Sequence, residues 1–216
     1  MEEGDRAGGW SALMTAAEAG DLAGARAAIA AGAEANAADE DGWTALHLAA
    51  LNDRAAVVEL LLAQPGVEVN ARTKWKSTPL MLAASRGHLG PVELLAAHDG
   101  IDLDARADYY GRTALIEAAK NGHFPVVGLL LERGADVNVA DKTGRNTALI
   151  ESIKHRHDGV TLALLRHGGI DFGDKDRRLS ALIWAGSAGS QAIRDALEIS
   201  IRDFFERDRR AAAFAG

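Results

Sequence analysis

One short motif recurs through this sequence at a nearly constant interval: Ser or Thr, then Ala or Pro, then Leu. Successive copies lie 33, 34, 35, 34 and 33 residues apart. A fixed period in this range is typical of repeat arrays, in which each unit buries its apolar face only by stacking on its neighbours. The period therefore predicts a stack of similar units. The motif starts at Ser11, Thr44, Thr78, Thr113, Thr147 and Ser180.

Within each unit, the spacing of apolar residues and glycines predicts two short helices. The Ser or Thr stands before a Leu-Ala-Ala-like run, where its hydroxyl can cap the first helix. In four units a glycine nine residues later ends that helix, and in five units a second glycine 21 or 22 residues after the motif ends a Val/Leu-rich second helix. A short extended turn then leads into the next unit. The first set of glycines is Gly20, Gly87, Gly122 and Gly189, and the second is Gly32, Gly66, Gly100, Gly134 and Gly168.

The segments TALHLAA, STPLMLAASRGH, TALIEAAKNGH and LLLERGADVN resemble ankyrin repeats. The resemblance covers about residues 6–205 and implies an all-α, L-shaped ankyrin-repeat solenoid of helix-turn-helix units, in a single domain over residues 1–216. Short β-hairpin or turn fingers would project from it, and the fingers and first helices would form a concave face. The expected repeats are residues 6–37, 38–71, 72–106, 107–139, 140–173 and 174–205, followed by a tail, 206–216.

The sequence departs from the ankyrin pattern at the position three residues after the Ser or Thr. The family has His there, and this chain keeps it only as His47. Met or Ile stands in the other units, which weakens a local hydrogen-bond pattern but preserves side-chain volume. These residues are Met14, Met81, Ile116, Ile150 and Ile183.

The last unit lacks its second glycine, because Ile201 stands where that glycine is expected. Apolar residues instead continue at helical spacing, opposite a charged face. A helix of this kind at the end of an array is predicted to be a long C-terminal cap, and the alternative is a helix that docks on a partner. The apolar stripe is Ile193, Leu197, Ile201, Phe204 and Phe205.

The sequence predicts no catalytic, metal or cofactor site. The chain has no Cys, which excludes a disulfide framework, a zinc–thiolate cluster and a thiol nucleophile. His155 and His157 are two residues apart and do not share a helix face, and the Lys and Arg beside them would repel a cation. No glycine-rich phosphate-binding motif occurs in the sequence. We therefore expect a protein that is not an enzyme and needs no cofactor.

Composition and hydropathy predict a cytoplasmic protein. The first ten residues, MEEGDRAGGW, are acidic and lack the apolar segment of a secretory signal. No stretch approaches the run of about 18 apolar residues that a membrane helix requires, so no membrane contact is expected. The formal net charge of −7 gives no general reason to expect a nucleic-acid partner.

Aromatic residues are concentrated just before the predicted helix caps. Of the four Trp and two Tyr, five lie within four residues of a cap, at positions that the resemblance assigns to the fingers. Trp and Tyr are costly to expose and are enriched at interface hot spots, which favours recognition of a partner. The alternative is that each ring packs on a neighbouring finger. The five are Trp10, Trp43, Trp75, Tyr109 and Tyr110, and the sixth, Trp184, is predicted inside a helix.

Basic residues accumulate on the later fingers and first-helix ends, whereas the early fingers are acidic, with Asp39, Glu40 and Asp41. This pattern predicts a partner with an acidic patch beside an apolar ridge, because charge would steer the encounter and buried aromatic rings would hold the complex. The basic finger residues are Arg72, Lys74, Lys76, Arg106, Arg112, Lys142, Arg145, Lys175, Arg177 and Arg178, and the helix-end residues are Arg86, Lys120, Lys154 and Arg156.

The resulting hypothesis is a protein–protein interaction module, with no prediction about self-association. Two alternatives share its surface: an inhibitor or immunity-type protein that occludes an enzyme, and a binder of nucleic acid or another polyanion. The resemblance also implies that Asn36, Asn70 and Asn138 occupy a position that asparaginyl hydroxylases modify, although turn formation alone explains them. The predicted partner-binding residues are Trp10, Trp43, Trp75, Tyr109, Tyr110, Arg86, Arg112, Lys120 and Arg145.

Overall fold

The structure, a computed structural model, describes residues 10–107, 110–187 and 190–214, with side chains as far as residue 210. These residues form twelve α-helices and no strand, which confirms the predicted all-α class. Two residues with predicted roles, Tyr109 and Gly189, lie outside the described residues. The chain divides into two compact units, Met1–Tyr109 and Tyr110–Gly216.

The first unit contains three helical pairs. The first helix of each pair lies beside the first helix of the next pair, and the second helices are adjacent to one another in the same way. Leu, Val, Ala and Met side chains fill the space between them. The first helices are α1 (Ala12–Ala19), α3 (Ala45–Leu51) and α5 (Pro79–Arg86), and the second helices are α2 (Leu22–Ala30), α4 (Ala55–Leu62) and α6 (Leu89–Ala96).

The second unit repeats this arrangement with three more pairs. Its buried side chains are again mostly Leu, Val, Ile and Ala. The first helices are α7 (Ala114–Lys120), α9 (Ala148–Lys154) and α11 (Lys175–Ser187), and the second helices are α8 (Phe124–Glu132), α10 (Asp158–His167) and α12 (Gln191–Phe214).

Five of the six predicted helix caps are confirmed. The hydroxyl of each accepts a hydrogen bond from the backbone N–H three residues later, over 3.2 to 3.4 Å. A cap of this kind stabilises a helix by about 1 kcal/mol, because it satisfies a donor that has no partner within the helix. The five capping residues are Ser11, Thr44, Thr78, Thr113 and Thr147.

The prediction that Ser180 caps a helix is wrong. Helix α11 begins five residues earlier, at Lys175, so Ser180 lies inside it. Asp174 acts as the cap instead, because its carboxylate accepts a hydrogen bond from the N–H of Arg177 at 2.9 Å. The segment KDRRL contains no glycine that would form a finger tip, and its Lys, Arg and Leu residues favour a helix. The basic side chains of Lys175, Arg177 and Arg178 therefore belong to a helix and not to a sixth finger.

The fingers are turns rather than regular β-hairpins. Among the described residues, the only β-type pairing is an isolated antiparallel bridge between Ala38 and Thr44. Across the base of each of three fingers, a backbone hydrogen bond of 2.9 to 3.1 Å closes the turn. These bonds run from the N–H of Asp39 to the carbonyl of Trp43, from Thr73 to Ser77, and from Asp141 to Asn146.

Helix α12 confirms the predicted long C-terminal helix. It has 24 residues and packs against α10 and α11. Ile193 and Leu197 are completely buried, and the Phe204 ring meets the Phe172 ring edge to face at 6.0 Å between centroids. Residues 206–210 are exposed. The N-terminal part of α12 therefore belongs to the core of the second unit.

Candidate functional site

In the first finger, Asp39 holds two of the predicted aromatic residues. Its Oδ2 atom accepts a hydrogen bond from Trp10 Nε1 at 3.0 Å, and its Oδ1 atom accepts one from the backbone N–H of Trp43 at 2.8 Å. Both Trp residues are half-buried, and the Trp43 ring lies edge-on to the His47 ring at 5.9 Å. Trp10 and Trp43 thus have contacts within the array, as the packing alternative expects.

His47 is buried next to this finger and links two repeats. Its Nδ1 atom accepts a hydrogen bond from the N–H of Thr44 at 3.2 Å, so Nε2 carries the proton and donates to the Ser77 carbonyl at 3.1 Å. Burial lowers the pKa of His47 from 6.5 to about 4, although its hydrogen bonds to backbone carbonyls oppose this shift. The imidazole is therefore neutral near pH 7.

The next finger exposes its aromatic ring to solvent. Trp75 at its tip is 51% exposed. The backbone beside it is fixed, because the N–H of Lys74 donates to the Asp41 carbonyl at 2.7 Å, and Lys74 Nζ lies 3.1 Å from Asp41 Oδ1. Lys76 has a φ of 55° and completes the tight turn. The Trp75 ring is thus presented by a structured turn.

Arg86 adds a positive charge to the surface of the first unit. It stands in the last turn of α5, where a cation interacts favourably with the helix dipole, and it is exposed. Its guanidinium group forms no ion pair with any residue that the structure describes. A carboxylate of a partner could therefore reach it.

In the second unit, Tyr110 is 53% exposed and stacks with Arg112. The Cζ atom of Arg112 lies 4.6 Å from the Tyr110 ring centroid. Arg112 also pairs with Glu117, with 3.3 Å between Nη1 and Oε1 and both side chains largely buried. The Tyr110 carbonyl accepts a hydrogen bond from the N–H of Lys142 at 2.8 Å. Arg112 is thus engaged within the unit, where it positions the Tyr110 ring.

The following finger is organised around Asp141. This carboxylate is 4% exposed and accepts hydrogen bonds from the side chains of Thr143 and Asn146 at 2.6 and 2.7 Å. Burial by itself would raise the pKa of Asp141, but the hydrogen bonds outweigh burial and hold it below the usual 3.8. Arg145 at the tip is exposed, and Lys120 at the end of α7 is half-buried.

A polar cluster on α9 was not predicted from the sequence. Glu151 is 1% exposed, with Oε1 at 2.9 Å from Lys154 Nζ and Oε2 at 3.6 Å from His155 Nδ1. Lys154 Nζ also lies 5.7 Å from the ring centroid of Trp184, which is 39% exposed. The sequence does carry a signal for this cluster, because the position four residues after the cap is buried Leu48 in an earlier repeat and acidic Glu151 here.

The two closely spaced His residues stack in a turn. Helix α9 ends at Lys154 and Arg156 has a φ of 59°, so the rings of His155 and His157 lie parallel with centroids 6.3 Å apart. His157 Nε2 also bonds to the carbonyl of Lys120 at 3.0 Å. Among the described residues, no group of three or more His, Cys, Asp or Glu side chains could hold a metal ion.

Three Asn side chains tie finger loops to the next repeat. Each donates from Nδ2 to a glycine carbonyl of the next repeat at 2.7 to 2.8 Å. Its Oδ1 accepts a hydrogen bond from the backbone N–H two residues after that glycine, at 2.8 to 2.9 Å. Because both ends of the amide bond to residues 30 to 33 positions away, these side chains are cross-repeat clamps as well as turn residues. The clamps join Asn36 to Gly66 and Glu68, Asn70 to Gly100 and Asp102, and Asn138 to Gly169 and Asp171.

A second set of cross-repeat bonds lies at the start of the second helices. The side chain ten residues after the cap donates to a carbonyl at the end of the first helix of the previous repeat, at 3.0 to 3.1 Å. These bonds satisfy carbonyl groups that have no partner within their own helix. The pairs are Arg54 with Glu18, His88 with Leu51, and His157 with Lys120.

Comparison with known families agrees with this repeat geometry. Two segments, residues 2–73 and 65–141, match the family described as ankyrin repeats in three copies, and together they span more than half of the chain. This chain belongs to the ankyrin-repeat family. A search of the curated proteins finds no match to the sequence.

Ankyrin repeats are in general protein–protein interaction modules and are typically not enzymes. In the part of this ankyrin chain that the structure describes, no helix has the length and hydropathy needed to cross a membrane. The matched region ends at residue 141. Beyond it, α9 and α10 keep the capped helix pair of an ankyrin repeat, whereas α11 and α12 depart from it in their start and length.

Charge is distributed unevenly between the two ankyrin units. Residues 1–109 carry 17 acidic and 8 basic side chains, and residues 110–216 carry 14 acidic and 16 basic ones. Several members of the predicted basic band are nevertheless neutralised by internal ion pairs. These pairs are Lys74 with Asp41, Arg112 with Glu117, Lys154 with Glu151, and Arg177 with Asp174.

Proposed function

We propose that this ankyrin-repeat protein binds another protein, without catalysis, through its fingers and the adjoining ends of its first helices. One observation carries the proposal: Trp75 in the first unit and Tyr110 in the second are 51 and 53% exposed, each on a finger. Large aromatic rings are costly to leave in water and are frequent hot spots of protein interfaces. Each unit therefore offers its own contact surface.

The backbone that carries each ring is held in place before any partner arrives. Lys74, which precedes Trp75, is bonded through its backbone and its side chain to Asp41. Tyr110 is held by its own carbonyl, which bonds to Lys142, and by the guanidinium group of Arg112 against its ring. Side chains and loops that are already ordered lose less entropy on binding. This preorganisation supports a role for both rings as anchors.

Exposed cations near the fingers define the chemistry of the partner. Arg86 in the first unit and Arg145 in the second are exposed, and neither side chain pairs with another described residue. Lys120 adds a partly accessible charge at the end of α7. A partner with an acidic patch beside an apolar ridge would satisfy both the cations and the rings. Tyr109, which lies outside the described residues, stays in the proposal as a neighbouring anchor.

Two other functions use the same surface. An inhibitor of an enzyme would bind in the same way, and it is recognised by loss of the partner's activity on binding. A polyanion is a weaker fit, because four of the cations are already neutralised by Asp41, Glu117, Glu151 and Asp174. Binding of polyanions would show affinity that falls steeply with salt and does not depend on sequence.

The proposal includes a cytoplasmic location and one domain of six repeats. Limited proteolysis tests the domain organisation, since a single domain should resist cleavage between Tyr109 and Tyr110, where the two compact units divide. Two stable fragments from a cut there would contradict it.

The binding surface is tested by affinity capture from the native lysate with three forms of the tagged protein. The test variant is Trp75→Ala/Tyr110→Ala. The control is Leu89→Ala/Phe124→Ala, which removes apolar side chains of similar exposure, 42 and 54%, from the second helices. We expect quantitative mass spectrometry to find a protein that the wild type and the control retain and the test variant loses. Equal capture by all three forms, with folding confirmed by circular dichroism, would exclude the fingers as the site.

A further inference from the structure

Helix α11 exposes a row of large apolar side chains in the second unit. Leu179, Leu182 and Ile183 are 51, 38 and 59% exposed. Their spacing of three and four residues places them on one face of the helix. Trp184 is not part of this row, because it contacts Lys154 on α9. We call Leu179, Leu182 and Ile183 the end row.

In every earlier repeat, the residues equivalent to Leu182 and Ile183 are buried. They stand two and three positions after the Ser or Thr of the motif, and their exposure does not exceed 3% at the first position and 4% at the second. Helix α11 thus keeps the apolar residues of a covered position, although no described element covers them. The equivalent residues are Leu13, Leu46, Leu80, Leu115 and Leu149, and Met14, His47, Met81, Ile116 and Ile150.

The third position of the motif faces the following repeat. His47 shows this directly, because its Nε2 atom reaches the carbonyl of Ser77 in the next repeat at 3.1 Å. Ile183 holds the same position in α11, whose other side packs against α9. The end row therefore faces away from the stack, and only an element stacked on α11 could cover it.

The corresponding positions of α12 are charged. Fourteen residues after the motif, the earlier repeats have a fully buried Ala, Val or Thr, and α12 has half-buried Arg194, which Gln191 Oε1 holds at 2.8 Å. Eighteen residues after the motif, they have a buried or half-buried Ala, Ile or Leu, and α12 has exposed Glu198. A further repeat with an apolar second helix would bury both charges against hydrocarbon, which is unfavourable. The surface instead suits a partner that supplies opposite charges.

We propose that this surface is a two-fold interface with a second copy of the chain. With the two-fold axis in the interface and perpendicular to the helices, α11 packs antiparallel on α11 of the other copy, and α12 on α12. The end row then meets its own equivalent, apolar against apolar. Arg194 and Glu198 are one helical turn apart, so an axis that passes midway between them places Arg194 opposite Glu198 of the partner subunit, and Glu198 opposite Arg194 of the partner subunit. A single axis thus satisfies both the apolar residues and the charges, which identifies a second copy as the occupant.

Analytical ultracentrifugation of the full chain tests this interface. The wild type is expected to show a monomer–dimer equilibrium. Ile183→Glu places like charges near the axis and is expected to raise the dimer dissociation constant by at least about tenfold. Phe124→Glu is the matched control, because it introduces the same charge at a site of similar exposure, 54%, in the same unit. The control should leave the dissociation constant unchanged, and circular dichroism checks that both variants fold.

Exchange of the two charges tests the antiparallel arrangement itself. Arg194→Glu alone places Glu opposite Glu198 of the partner subunit and is expected to weaken the dimer about tenfold. The double variant Arg194→Glu/Glu198→Arg restores opposite charges across the axis, and its dissociation constant should return to within about threefold of the wild type. No such recovery would occur if these two residues did not face each other across the interface, and its absence would reject the antiparallel pairing.

Three other results would overturn the proposal. A wild type that stays monomeric at all accessible concentrations would show that something other than a second copy covers the end row. Assemblies larger than a dimer would indicate head-to-tail stacking, which does not close. A dimer that Phe124→Glu disrupts and Ile183→Glu does not would place the interface on α8. None of these results would affect the proposed finger surface, because the end row does not lie on a finger.

Discussion

Two fingers of the first unit carry Trp residues with opposite surroundings. Trp43 stands one residue before its helix cap, is half-buried, and is held by Asp39 and by the ring of His47. Trp75 stands three residues before its cap, at the tip of the turn, and is 51% exposed. The same residue type therefore packs within the array in one finger and faces solvent in the next.

The residue that closes each turn explains much of this difference. The two carboxylate oxygens of Asp39 accept hydrogen bonds from three donors, which are the backbone N–H groups of Asp41 and Trp43 and the ring N–H of Trp10. Thr73 holds the equivalent position in the Trp75 finger, and its hydroxyl accepts only the N–H of Ser77, at 3.2 Å. A carboxylate can gather several donors at once, whereas a hydroxyl closes a single turn. We therefore expect substitutions in the first finger to change stability and substitutions at the tip of the second to change binding.

The largest effect is expected at His47, below the Trp43 finger. Its folded pKa of about 4 lies below the unfolded value of 6.5, so its contribution to stability is complete above pH 6.5 and is lost as the pH falls toward 4. Over that range the loss is about 3 kcal/mol. His47→Met should remove this pH dependence, and Met14 and Met81 show that the position accepts Met. Urea denaturation at several pH values measures it, and an unchanged pH slope in the variant would contradict the assignment.

Trp43→Ala should lower the free energy of unfolding by about 2 kcal/mol, because it removes a half-buried ring from its contact with His47. Binding of the captured partner by the folded variant should stay within about twofold of the wild type. Thermal denaturation and isothermal titration calorimetry give the two quantities. Large loss of affinity with unchanged stability would assign Trp43 to the interface after all.

Trp75→Ala should have the opposite result. We expect the free energy of unfolding to change by less than about 0.5 kcal/mol, since the ring is mostly exposed. Affinity for the captured partner should fall by about 2 kcal/mol, or roughly 30-fold, if Trp75 is a hot spot. The same two measurements apply. Unfolding of this variant would show that the ring supports the finger and would contradict the proposed difference between Trp43 and Trp75.

Trp10→Phe is expected to have the smallest effect, about 1 kcal/mol of stability, because it removes one hydrogen bond to a carboxylate and keeps an aromatic ring. Trp75→Phe is the matched control and should not change stability. Chemical denaturation of both variants isolates the bond between Trp10 Nε1 and Asp39. Equal stabilities would mean that this bond contributes nothing measurable.

Features that depend on close neighbours in sequence were predicted correctly. The five Ser and Thr caps bond to an N–H three residues away, so the repeat motif alone identified them. Long α12 followed from its apolar spacing. The error at Ser180 has the same local character, because the preceding KDRRL segment favours a helix and Asp174 provides an earlier cap. The repeat motif, which places a cap at Ser180, gave the wrong helix start because it does not include these two local signals.

The helix pairs and the ankyrin family were thus open to sequence reasoning, because periodicity and capping act within one unit. Which aromatic rings are exposed was decided by tertiary structure. Asp39 lies 29 residues from Trp10, and the Asn clamps bond 30 to 33 residues away. The exposure of Ile183 likewise depends on what stacks on α11 and not on its own motif, which is buried everywhere else. In a stacked array the neighbouring repeat completes each environment, so identical positions can be core in one repeat and surface in another.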